Sequence, residues 1–151
     1  MGLLLGIDGK ERALGVSLGQ SYSAITTLYI GLLQAAPVNM DGMDLATLIS
    51  AGQGNEFTVN ANFYTGRKAI TFGTITADQD GAACNNNNAV AVEWTNISGV
   101  DIDVQAFFIT DASSGGSGKV LWVGTPDAGT ATIVNTKKAS INSGDLLLKV
   151  D

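Results

Sequence analysis

Residues 23–33 read SAITTLYIGLL, a β-branched and aromatic run halted by Ala35-Ala36-Pro37. Proline has no N–H to give to a ladder, so the pattern predicts a largely buried strand followed by a turn. Between residues 40 and 54 the character changes. Leu45, Leu48 and Ile49 fall at i, i+3 and i+4, with Asp41 or Asp44 placed to cap the start and Gly52 to close the end, which predicts one or two helical turns. Strand signals resume at residues 56–59 (EFTV) and 67–75 (RKAITFGTI), where Ile70 and Phe72 share a face by the period of two.

Residues 78–88 (DQDGAACNNNN) are small, polar and rich in turn formers, and predict a long surface loop before a strand at 89–94. Two further apolar runs, 100–110 and 119–124, flank the glycine-rich stretch 111–118 and predict a hairpin with a long, loose tip. Residues 130–134 and 146–150 complete the series, the last preceded by the turn Asn142-Ser143-Gly144-Asp145. Strands at this spacing predict an all-β chain: an antiparallel β-sandwich or jelly-roll-like domain of roughly eight strands with one short helical segment.

Residues 1–22 resist such a reading, because Gly2, Gly6, Gly9, Gly15 and Gly19 interrupt every periodicity. The expected organisation is therefore an N-terminal arm, 1–22, and a single β-sandwich domain, 23–151. The arm opens with Leu3, Leu4, Leu5 and Ile7, which are costly to expose in a free monomer and are the candidate partner-binding residues. The competing expectation is that these leucines form a first strand of the same sheet.

Composition narrows the function classes. Nineteen glycines against two prolines suit short strands and tight turns. Fourteen acidic and eight basic residues give a net charge of −6, which repels phosphate backbones, so no nucleic-acid partner is expected. No apolar run is long enough to cross a bilayer, and the opening carries neither a basic n-region nor the Ser or Thr that a myristoylation motif needs at Gly6. No membrane association is expected.

The chain contains no histidine, which removes the commonest general base and transition-metal ligand. The remaining candidates for chemistry are incomplete. Asp101/Asp103 and Asp78/Asp80 offer hard oxygens but too few of them for a calcium site, and nothing fixes a carboxylate pair at glycosidase spacing. Cys84 has no histidine to activate it and reads as inert. Gly115-Gly116-Ser117-Gly118 lacks the ending of a phosphate-binding loop, and the sequon Asn96-Ile97-Ser98 matters only for an exported chain. Trp94, Trp122 and the asparagines at 85–88 are candidate sugar contacts, set against ordinary core and turn roles. We expect no enzyme, cofactor or metal.

Several segments together carry a family resemblance: Tyr22-Ser23-Ala24, Leu28-Tyr29-Ile30-Gly31-Leu32-Leu33-Gln34-Ala35-Ala36-Pro37 and Tyr64-Thr65-Gly66-Arg67-Lys68-Ala69-Ile70-Thr71-Phe72. Asn88-Ala89-Val90-Ala91-Val92, Phe107-Phe108-Ile109-Thr110-Asp111-Ala112 with Gly115-Gly116, and Ser143-Gly144-Asp145-Leu146 follow in order. Over residues 22–151 the chain resembles small tailed-bacteriophage virion proteins of the tail-fibre-like and head-decoration (cement) kinds. It departs from them in having five glycines among its first nineteen residues where a short amphipathic helix is expected, and in lacking a glycine just before Tyr64. The resemblance implies a non-catalytic structural protein made in the host cytoplasm and carried on the outer surface of the capsid. There it would be a homotrimer that cements the major capsid protein, with a tail or fibre receptor- or glycan-binding module as the alternative.

Overall fold

The computed structural model describes residues 2–78 and 81–150. Among them lie β1 (Gly2–Leu5), α1 (Ile7–Ser17), β2 (Leu28–Leu33), α2 (Leu45–Leu48), β3 (Lys68–Ile70), β4 (Thr76–Asp78), β5 (Gly81–Asn85) and β6 (Val92–Thr95). β7 (Ile102–Val104), β8 (Ala106–Thr110), β9 (Val120–Thr125), β10 (Ala131–Ile133), β11 (Lys138–Ile141) and β12 (Leu147–Val150) complete the order, and a 3₁₀ turn, Met40–Gly42, precedes α2. The fold is all-β and sandwich-like, as the turn-punctuated apolar runs predict.

Its spine is a five-stranded antiparallel sheet in the order β1-β9-β8-β2-β3. β8, AFFIT, is buried along its whole length because both faces of the sheet are covered. On one face Phe107 packs with Ile30, Leu32 and Ile70 against Phe63, Tyr64 and Trp94. The ribbons β6–β11 and β7–β10 close over that face, bringing in Val92 and Val104. On the other face Phe108 and Ala106 meet Leu45 and Leu48 of α2. That short helix forms where the apolar spacing placed it, and Asp44 caps it: its Oδ1 accepts the Thr47 N–H at 2.8 Å. A three-stranded sheet, β12-β5-β4, stands beside these layers.

Four sequence expectations change. Residues 78–88 are not one surface loop: β5 pairs with β4 on one side and β12 on the other, because the small side chains Ala82, Ala83 and Cys84 fit between two strands. Residues 56–59 make only an isolated bridge, Leu33↔Glu56, since after the Phe57 N–H reaches the Leu32 carbonyl the chain turns at Asn60, whose Oδ1 accepts the Asn62 and Phe63 N–H groups. The strand expected over 23–33 begins at Leu28, where β3 and β8 first supply partners. Residues 2–17, expected to be an arm, are instead an edge strand and a helix, and Leu3 to Leu5 take the competing role of a first strand.

Candidate interaction surface

The N-terminal elements are seated by a defect in β9. Ile109 pairs with Trp122 and Thr110 with Val120, so Leu121 is an extra residue in the ladder. Its carbonyl leaves the ladder and accepts the Gly6 N–H at 2.8 Å, at the mouth of α1. Asp8, in the first turn, accepts the Val120 N–H at 2.8 Å and pairs with Lys119 at 3.2 Å. The helix sits so close that a Cβ on Gly9 would stand 2.3 Å from the Leu121 carbonyl oxygen. At the far end a Cβ on Gly15 would stand 2.1 Å from the Tyr22 hydroxyl, and Arg12 lies 5.1 Å from the Tyr22 ring centroid. The glycines that hide the helix in the sequence are therefore what lets it dock.

Docking on this glycine side leaves a mixed side of α1 facing outward, with Lys10 and Glu11 exposed between its apolar residues. Ile7, Leu14 and Leu18 recur at i, i+7 and i+11 and are exposed, Leu14 and Leu18 to 63% and 70%. Leu4 of β1 is exposed beside them in sequence, whereas Leu3 packs against the core and Leu5 is half-buried. Of the four expected contact residues the structure thus turns Leu4 and Ile7 outward and Leu3 and Leu5 inward. Leu14 and Leu18 were legible only as a helical spacing that the glycines obscured. Next to α1 a cleft of about 360 Å³ is lined by Arg12, residues 23–27, Tyr29, Asp111 and Lys119.

Other candidates are absorbed by the fold. Trp94 is buried, stacks on Tyr64 and donates its indole N–H to the Gly66 carbonyl at 2.8 Å, so it offers no sugar platform. Trp122 is half-buried and, with Cys84 and Leu148, lines a small apolar cavity. Burial raises the Cys84 pKa, which disfavours its thiolate. Asn86 and Asn88 are buried and hydrogen-bonded to one another, and the Asn86 Oδ1 accepts the Leu146 N–H at 2.8 Å. Asn96 is fully buried and donates to the Val100 and Ile133 carbonyls, which makes it a strut and no glycosylation acceptor.

Asp101 accepts the Asn135 N–H and Asp103 the Thr132 hydroxyl. Among the described residues no three or more Cys, Asp and Glu gather at metal-binding distance; Gln79 and Asp80 lie outside the described residues. The glycine-rich tip between β8 and β9 is anchored, contrary to its loose sequence. Arg67, buried, pairs with Glu56 at 2.7 Å and donates to the Ala112 and Gly115 carbonyls, with its guanidinium 5.0 Å from the Phe108 ring centroid. Tyr64 donates to the same Glu56 at 2.7 Å, and burial, reinforced by that carboxylate, pushes its pKa far above the ordinary value.

The family model for podophage GP4 fiber I protein gp80 matches residues 13–149. The chain belongs to this family. The chain is therefore a structural virion protein of a phage, and the phage-virion resemblance holds at that level. No curated protein matches the chain. The matched span begins within α1, so it includes Leu14, Leu18 and the segment after them and leaves out Leu4 and Ile7.

Proposed function

We propose that this chain is a non-enzymatic structural subunit of the fibre or tail apparatus of a podophage, acting by protein–protein contact through the exposed face of α1. Membership of the fibre family carries this reading. The exposed side chains of Ile7, Leu14 and Leu18 support it, because neighbouring exposed apolar side chains such as Leu14 and Leu18, one helical turn apart, mark a contact site. Sugar recognition draws less support, since Trp94, Asn86 and Asn88 are all buried in structural roles. Head decoration, with a homotrimer seated on the major capsid protein, was the leading expectation from the sequence. The family description favours the fibre.

The deciding experiment is immunogold labelling of purified, DNA-filled particles, with quantitative mass spectrometry of this chain against the major shell protein. Label at the tail, in low copy number relative to the shell protein, is the expected result. Label spread over the head, in numbers comparable with the shell protein, would overturn the fibre reading in favour of decoration.

A further inference from the structure

We infer that the cleft between α1 and residues 23–27 takes an extended segment of a partner protein, basic toward its N-terminal end and acidic toward its C-terminal end. The segment SAITT carries β-forming residues and runs without turn or bend into β2. Among the described residues, none of its backbone N–H groups donates to another group of the chain, and of its carbonyls Ser23's alone accepts, from Arg12. It fails to pair because β8 leaves it. Past Tyr29↔Thr110 the chain after β8 departs and opens the cleft of about 360 Å³ that Arg12, Asp111 and Lys119 share with residues 23–27. Unpaired strand-forming backbone beside open space is a template for strand addition. A strand entering there continues the line of β8 and, like β8, runs antiparallel to β2.

Charge fixes the chemistry of the occupant. At the Ser23 end, Arg12 donates to the Ser23 carbonyl at 2.8 Å and lies over the Tyr22 ring, which holds the guanidinium in place, and among the described residues no carboxylate pairs with it. At the other end stands Asp111, next to Thr110; its Oδ1 accepts the Lys119 N–H at 2.7 Å, and no cation pairs with it among the described residues. Lys119 is paired with Asp8 at 3.2 Å and adds no net charge. Antiparallel entry brings the partner's N-terminal end to Asp111 and its C-terminal end to Arg12, so a basic and then an acidic side chain match the two ends. A second copy of residues 23–27 brings no charge to either. The opposite flank, lined by residues 25–28 and 69–72, is uncharged and selects nothing. β10 is an uncharged outer strand too, but it has three residues and its Ile133 carbonyl is taken by the Asn96 amide. The inference rests on unpaired backbone and two charges, and not on the fibre reading, so either can fail alone.

The test uses the full chain and two acetylated, amidated peptides long enough to lie opposite residues 23–28: KTVTVE and its charge-exchanged counterpart ETVTVK. Amide chemical shifts should move at residues 23–27, and KTVTVE should bind about fivefold more tightly than ETVTVK at low ionic strength, a preference that salt removes. Asp111→Asn keeps an acceptor for the Lys119 N–H and deletes only the charge, so the preference should shrink to about twofold at unchanged melting temperature. Arg12→Asp with Asp111→Arg should reverse it. Equal binding of the two peptides, shifts confined to other residues, or no shift at about 5 mM peptide would each overturn the inference. So would protection of the amides of residues 23–27 that grows with protein concentration in the absence of peptide, since that marks a second copy as the occupant.

Discussion

The body of this protein and its N-terminal face treat polar and apolar groups in opposite ways. In the body, buried polar side chains are common and satisfied: Arg67, Asn86 and Asn96 each bridge backbone carbonyls or turns, and among the described residues no buried side-chain nitrogen or oxygen lacks a partner. On the face formed by α1 and residues 21–27, leucines are exposed and backbone N–H groups are unpaired. The body is chemically complete by itself, and the face is not. Substitutions in the body should therefore cost stability and leave assembly alone, while substitutions on the face should do the reverse.

The largest expected effect is at Arg67. Arg67→Met removes the guanidinium from Glu56 and from the carbonyls of Ala112 and Gly115, and leaves a half-buried carboxylate beside Tyr64. Losing one partner of a buried pair costs about 3–5 kcal/mol, which thermal unfolding should show as a fall of many degrees in the melting temperature. A change within error would mean that the tip is held by packing alone. Asn96→Ala comes next. It removes the Asn96 amide from the Ile133 carbonyl and leaves the Val100 carbonyl to the Ser98 hydroxyl alone, at about 1–3 kcal/mol, read by chemical denaturation.

Gly9→Val joins the two regions, because its side chain would collide with the Leu121 carbonyl and lift α1 from β9. Overpacking of this kind costs about 1–3 kcal/mol. Hydrogen exchange should show the loss at α1 and β1, with β8 still protected. If β8 exchanges equally, the boundary between body and face is wrong. Leu14→Ser with Leu18→Ser sharpens the contrast from the other side. Both residues are exposed, so stability should change by no more than about 0.5 kcal/mol while incorporation into particles falls. Normal incorporation would remove the α1 face from the contact.

The smallest effect lies at acid pH. A hydrogen bond from Lys10 holds the Asp41 carboxyl below its ordinary 3.8, and the Thr47 N–H does the same for Asp44. Both groups are lowered in the folded state, so their stabilisation is complete above 3.8 and is lost as pH falls through the depressed values. Lys10→Ala should shift the melting temperature slightly down above pH 3.8 and leave it unchanged at the most acid pH, which flattens the acid limb. No shift would mean that this exposed pair contributes nothing.

The sequence by itself determined what depends on neighbours along the chain. Alternation and turn residues marked most of the strands, Leu45, Leu48 and Asp44 marked a capped helical turn, the lack of histidine argued against most enzyme classes, and the ordered motifs carried the resemblance to phage virion proteins. Residues with one local use were legible in the same way, such as the apolar β8. What only the tertiary structure decided depends on distant partners. A pattern states that residues 23–27 suit a strand, but a strand needs a second strand, and β3 and β8 turn away before reaching them. Glycines state that a helix is weak, but the bulge at Leu121 offers a carbonyl to Gly6 and a close-fitting seat for Gly9. Missing neighbours defeat propensity at the first site, and docking energy outweighs it at the second.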